Sequence, residues 1–297
     1  MKLFYTERSM FVGVLNMKKH FFRLFAVCLI ALFVLGFSAC KDNQKEPAEP
    51  VTMVMDTTIS QQAYLSELVD PAAATTPAAP EERPSPTQPG KPVNGMFFDD
   101  AVFVGDSVSL KLNYYVSDQR SYGDCLGKAK FLTSGSLGSA MALEAVSSES
   151  LHPTYQGQKL RLEDTISNIG AKKVFIMLGM NDIAVYGIEG SLDNYEELVA
   201  DILEKSPDAV IYAQSCTPMA VGCERSVLNN KNIVKYNNAL KQRCAENGWR
   251  YMDIYSVVVD ENGYLRADYC SDPEDMGIHF MDAGCKAWVD YLMNNAG

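Results

Sequence analysis

From residue 101 onward, short apolar runs alternate with helical patterns. This alternation constrains the fold more than any other feature of the chain. The apolar runs occupy 101–104, 130–133, 174–178, 209–214 and 250–254. Helical patterns follow at 107–116, 159–169, 192–205, 230–247 and 283–294. In the third of these, Tyr195, Leu198, Val199, Ile202 and Leu203 share one face at helical spacing, with acidic residues opposite. Repeated strand–helix units predict a five-stranded parallel sheet covered by helices on both faces, an α/β three-layer sandwich. The roughly 200 residues involved are enough for one such domain with a substantial core. There is no internal repeat.

The N-terminal part reads differently. Residues 17–40 are MKKHFFRLFAVCLIALFVLGFSAC, in which Lys18, Lys19 and Arg23 precede an apolar stretch from Leu24 to Phe37. Ser38 and Ala39 then stand directly before Cys40. Basic start, apolar middle and small-residue cleavage site predict a signal peptide over 1–40, with Met17 a second candidate start. The apolar stretch is short of the roughly 20 residues that a spanning helix needs. A cysteine after the cleavage site resembles the lipobox of bacterial lipoproteins, which implies lipidation of Cys40. Phe37 departs from that pattern, where leucine is usual. Residues 41–96 are rich in Pro, Ala, Thr and Glu, with one helical patch at 59–69. Such a composition buries no core and predicts a mostly disordered tether. A flexible coil of about 55 residues spans roughly 40 Å. The folded domain is expected over 97–297, extracytoplasmic and held to the membrane by the lipid.

Charge narrows the partners. Residues 1–40 carry five of the 26 Lys/Arg and one of the 37 Asp/Glu, which leaves 21 against 36 and a net charge of −15. That balance repels nucleic acid and anionic surfaces and suits a neutral or weakly charged substrate. Beyond Cys28 and Cys40, six cysteines remain: Cys125, Cys216, Cys223, Cys244, Cys270 and Cys285. An even number in an exported protein permits up to three disulfides. Cys216 and Cys223 are close enough to close a small loop. No cysteine spacing matches a zinc site, so metal binding through these cysteines is not expected; no cofactor is expected either.

Ligands of open parallel sheets bind at the carboxyl ends of the strands. Three turns stand there. Gly105-Asp106-Ser107 ends the first strand, Ser134-Gly135-Ser136 follows the second, and Gly179-Met180-Asn181-Asp182 follows the third. Each alone is an ordinary turn or cap. Together they predict one cleft edge with a serine hydroxyl lifted to the end of a sheet. A serine nucleophile needs a base, usually histidine. Of three histidines, His20 lies in the signal and His152 reads as a surface residue or a substrate contact. His279 precedes the last helix and is the candidate base.

The order Ser…Asn…His, without a G-x-S-x-G elbow, resembles the SGNH (GDSL-type) hydrolase superfamily from about residue 98 to the C-terminus. Gly105-Asp106-Ser107 matches its first block, Gly135 its second (with Gly138 as rival), Gly179-Met180-Asn181-Asp182 its third and His279 its fourth. The resemblance implies a flavodoxin-like fold, Ser107 as nucleophile and His279 as base. It also implies an oxyanion hole from the Ser107 N–H, the Gly135 N–H and the Asn181 amide. The family's aspartate three residues before the histidine is absent, since Met276 stands there. Asp275 or Asp272 would complete the triad, or a backbone carbonyl would serve a Ser–His dyad.

The expected function is a membrane-tethered serine esterase that removes short acyl groups, acetyl foremost, from a small-molecule or glycan ester. Two rival readings are an O-acetyltransferase working with a membrane acyltransferase, and a non-catalytic carbohydrate-binding module. Substrate-contacting loops are expected at 151–157, 183–191 and 219–228.

Overall fold

The computed structural model describes residues 90–297. The signal segment, Cys40 and nearly all of the expected tether lie outside the described residues. The central sheet has strands β1 (Ala101–Gly105), β2 (Lys130–Thr133), β5 (Lys173–Met177), β6 (Val210–Gln214) and β7 (Arg250–Met252). All pair in parallel, in the order β2-β1-β5-β6-β7. Counting these five alone, the order is 2-1-3-4-5, as in flavodoxin-like folds. A two-stranded hairpin, β3 (Thr154–Tyr155) and β4 (Gln158–Lys159), lies apart from the sheet. The helices are α1 (Ser107–Gln119), α2 (Ser139–Ala142), α3 (Leu162–Ile169), α4 (Met180–Lys205), α5 (Asn230–Asn247), α6 (Tyr255–Val258) and α7 (Asp282–Asn295). Helix α1 packs with α7, whereas α2, α3 and α5 each pack with α4.

An aromatic ladder pins the register. Phe131 stacks on Phe103, Phe103 on Phe175, and Phe175 on Tyr212, with centroids 5.0, 4.6 and 4.2 Å apart. Each pair is also a directly opposed pair in the sheet. A slip by one residue would send every one of these rings to the other face. At about 0.5–1.5 kcal/mol per pair beyond burial, the ladder resists that slip. Every residue of β1 is buried, as a central strand covered on both faces requires. In this register Gly105 lies opposite both Thr133 and Met177, so the three strands end level. The turns that follow them start from one line.

Two expected boundaries move. The third helix begins at Met180, not 192, and is interrupted at Gly187 (φ 66°, ψ −175°). The expected loop over 183–191 is therefore largely helical. At the other end, Lys91 exchanges backbone hydrogen bonds with Gly297, and the Val93 N–H donates to the Met293 carbonyl. The ordered domain thus reaches back at least to Lys91, before the expected start at 97.

All six described cysteines are free thiols, and all are buried. The disulfides permitted by their number do not form. Burial pushes Cys244 and Cys285 up to about 12, and the Cys216, Cys223 and Cys270 thiols lie against the Leu178 carbonyl, the Pro273 carbonyl and the Asp272 carboxylate.

Candidate active site

Ser107 is the first residue of α1, capped by Asp106. The Asp106 carboxylate accepts the Val108 N–H at 2.9 Å, so the motif's aspartate serves as helix cap. Gly105 is required by packing. A Cβ there would lie 2.1 Å from the Ser109 hydroxyl and 2.5 Å from its Cβ.

The His279 ring spans two partners. Its Nε2 lies 2.9 Å from the Ser107 Oγ, and its Nδ1 lies 2.7 Å from the Asp272 Oδ2. Asp272, seven residues before the histidine, therefore occupies the place of the acid, and Asp275 does not. The reason is the loop's own hydrogen bonding. Cys270 and Phe280 pair as an antiparallel bridge, and the Ser271 N–H donates to the His279 carbonyl. Inside this hairpin the Asp272 carbonyl accepts the N–H groups of Asp275 and Gly277. The chain thus folds back, and the Asp272 Oδ1 accepts the N–H groups of Ile278 and His279 at 3.1 and 3.0 Å. Burial acts to raise the Asp272 carboxyl. The hydrogen bonds and charge of His279 outweigh it and hold the group below the usual carboxylate range.

The loop rests on the one after β6. The Ala220 N–H donates to the Gly277 carbonyl at 2.7 Å, and Arg225 donates to the Asp275 carbonyl at 3.1 Å. Gly277 has φ 64°, and a Cβ there would strike the Cys223 sulfur at 2.5 Å. The loop after β6 is itself held by two asparagines seven residues apart on α5. Asn237 bonds both the N–H and the carbonyl of Cys216, and Asn230 does the same for Met219.

Asn181 stands at the start of α4. Its amide Nδ2 donates to the Leu137 carbonyl at 3.1 Å and to the Asp106 Oδ2 at 3.3 Å. The turns after β1, β2 and β5 therefore converge, as their sequence positions imply. Gly179 just before it has φ 141°, and a Cβ there would lie 2.5 Å from the Tyr236 ring. Burial raises the Asp106 carboxyl to about 6, against the lowering effects of the Val108 N–H and His279.

In the second block, the structure brings Gly138 to Asn181 rather than Gly135. The Leu137–Gly138 peptide is the one whose carbonyl Asn181 binds. Gly138 is buried and caps α2, and a Cβ there would lie 2.8 Å from both oxygens of Asp182. Gly135 is only partly buried, with open space around its Cβ position. The spacing of two glycines three apart after one strand could not distinguish them.

Asp182 escaped the sequence reading, beyond its place in the motif. It is 1 % exposed, and its two oxygens accept the N–H groups of Ser139 and Ala140 at 3.0 and 3.1 Å. His152 is also reassigned. It is buried, not on the surface, and its Nε2 lies 3.1 Å from the Ala142 carbonyl at the end of α2. Of the expected substrate loops, 183–191 and 219–228 contribute Ile183, Tyr186, Ile188 and Val227 to a cavity of about 670 Å³ against α5.

A hydrogen-bonded Ser–His–Asp set at the carboxyl end of a parallel sheet is the arrangement that acyl transfer requires. The model of the GDSL-like lipase/acylhydrolase family matches residues 103–287, which include every residue of this set. The chain belongs to the GDSL-like lipase/acylhydrolase family. Family membership supports ester hydrolysis as the activity. Among solved structures, the chain is similar to a GDSL-like lipase from Bacteroides thetaiotaomicron, with 16% identity, a TM-score of 0.50, and coverage of 78% of this chain and 94% of that one. It is also similar to a candidate acylhydrolase from Bacteroides fragilis, with 20% identity, a TM-score of 0.49, and coverage of 65% and 83%. No curated protein sequence matches it. At these identities the likeness to the first structure establishes the shared five-stranded α/β fold.

Proposed function

We propose that this GDSL-family protein is an extracytoplasmic serine esterase acting on short-chain esters through an acyl-enzyme on Ser107. The observation that carries the reading is the continuous hydrogen-bonded path from Asp272 through His279 to Ser107, at 2.7 and 2.9 Å. Asp272 holds the proton of His279 on Nδ1, which leaves Nε2 free to accept. His279 takes the Ser107 proton as the hydroxyl oxygen attacks the ester carbonyl. The resulting oxyanion is met by backbone N–H groups and Asn181. The intermediate collapses, His279 returns the proton to the leaving alcohol, and Ser107 keeps the acyl group. Water then attacks that acyl group with His279 again as base, releasing the acid and free Ser107. In the resting site Asn181 spends its amide hydrogens on Leu137 and Asp106, so an oxyanion takes one by exchange.

The net charge of −15 beyond residue 40 favours a neutral ester, and acetylated glycan at the cell surface fits that charge. In this reading Cys40 bears the lipid, and the segment after it links the membrane to a domain outside. The experiment is labelling with a fluorophosphonate probe. Wild type should label and hydrolyse p-nitrophenyl acetate, and Ser107→Ala should do neither while keeping its melting temperature. Labelling of the alanine variant would refute the assignment. Slow hydrolysis by wild type, with fast acetyl transfer to an added sugar, would replace esterase by acetyltransferase.

A further inference from the structure

Asp182 directly follows Asn181, yet the mechanism above gives it no task. It is almost fully buried. Burial raises its carboxyl to about 6, against the lowering effect of the two N–H groups it accepts. A buried carboxylate is costly to keep unless its hydrogen bonds matter. Those bonds all go to one element. Oδ2 takes the Ser139 N–H and Oδ1 the Ala140 N–H, the first two residues of α2. Helix α2 has only four residues and no side-chain cap of its own. Too short to be stable alone, it depends on outside anchors. Asp182 provides one at its start, and His152 binds the Ala142 carbonyl at its end.

Gly138 lies immediately before those two N–H groups. Its own N–H makes no hydrogen bond to any described residue. A buried backbone N–H without a protein partner is rare, and one next to the peptide held by Asn181 is suited to an oxyanion. The Leu137–Gly138 peptide is gripped on one side by Asn181 through its carbonyl. On the other side Asp182 grips the chain one and two residues further on. The same carboxylate fills the space that a side chain at position 138 would need.

We infer that Asp182 is a positioning residue of the oxyanion hole: it clamps the first turn of α2 and thereby aims the Gly138 N–H at the reaction centre. The inference rests on the serine esterase reading. It is separable from simple electrostatics by sign. A negative charge near a developing oxyanion opposes the reaction, so removing the charge alone would speed it. Loss of aim would slow it.

The test compares wild type, Asp182→Asn and Ser139→Pro. In the first variant the amide keeps one acceptor and sets a donor against the second N–H. In the second, one N–H is deleted, and the proline Cδ, standing where that hydrogen pointed, displaces the Asp182 Oδ2 that accepts it. Proline suits the first helical position, and Gly138 is extended (φ −119°, ψ 167°), as a residue before proline should be. For p-nitrophenyl acetate, kcat should fall at least tenfold in Asp182→Asn with KM within about twofold. The upper bound is the roughly 10²–10³-fold cost of deleting an oxyanion donor. Phenylboronic acid, whose serine adduct carries the tetrahedral negative charge, should lose affinity by a similar factor. Ser139→Pro should shift kcat and boronate affinity the same way by severalfold. If Asp182→Asn does not fold, Ser139→Pro decides alone. Unchanged or increased kcat in a folded variant, or loss confined to KM, overturns the inference. A wild type that hydrolyses no ester overturns the esterase reading instead.

Discussion

Replacing Asp272 by asparagine tests the central geometry with one oxygen exchanged for nitrogen. The Oδ1 atom accepts two backbone N–H groups, from Ile278 and His279, so in the variant the amide oxygen is held there. The amide nitrogen must then face the His279 Nδ1, where Oδ2 now lies 2.7 Å away. An N–H₂ group donates, so Nδ1 becomes the acceptor and the ring proton moves to Nε2. That nitrogen lies 2.9 Å from the Ser107 Oγ and can no longer take its proton. Wrong-tautomer variants of serine triads lose about 10⁴ in kcat, roughly 5.5 kcal/mol of transition-state stabilisation. We expect kcat for p-nitrophenyl acetate to fall about 10³–10⁴-fold, with the melting temperature nearly kept because the loop's backbone acceptor survives. Asp275→Asn should stay within about twofold of wild type. Asp272→Asn within tenfold of wild type, or Asp275→Asn as impaired as Asp272→Asn, would refute the reasoning.

Asn181→Ala should lower kcat about 10²–10³-fold with little change in KM, read from initial rates; a purely KM effect would remove Asn181 from the oxyanion hole. Gly179→Ala should cost more than about 2 kcal/mol in urea unfolding, because it adds backbone strain to a clash with the buried Tyr236. Gly157→Ala, also at positive φ but in open space, should cost less; equal losses would refute the packing argument. The pH dependence of stability follows from the buried carboxyls. Asp106 and Asp182 are raised from 3.8 to about 6 in the fold, so the stability gained by protonating them is complete below 3.8 and is lost as pH rises through 6. Asp272 runs the other way, with its contribution present above 3.8 and lost in stronger acid. The melting temperature should therefore rise from pH 7 to pH 5, and rise less in Asp182→Asn; an equal rise in both would show that Asp182 does not titrate in that window.

Much of the site was legible because its parts are local. Ser107 and Asn181 each follow a strand within a few residues, and a strand end places its turn without help from distant chain. His279 was legible by elimination among three histidines. The choice of Asp272 over Asp275 was not, because the seven-residue offset closes only through the Cys270–Phe280 bridge and the two N–H bonds to the Asp272 carbonyl. The choice between Gly138 and Gly135 was equally hidden. Both are glycines after one strand, and only the contacts of Asn181 and Asp182 with the chain around Gly138 separate them. The cysteines misled for a related reason, since an even count says nothing of which sulfurs meet.

By itself the sequence determined the five-stranded parallel architecture, the strand ends at which chemistry sits, and three of the side chains found there. Periodicity and turn residues act over a few neighbours, and those neighbours are written in order along the chain. Tertiary structure alone brought Asp272 to His279, the Leu137–Gly138 peptide to Asn181 and Asp182 to the start of α2. Each depends on a side chain meeting backbone groups across a gap in sequence, 43 residues between Asp182 and Ser139, 44 between Asn181 and Leu137 and seven between Asp272 and His279. Their hydrogen bonds exist only once the aromatic ladder has set the strands level and the loops have packed against one another.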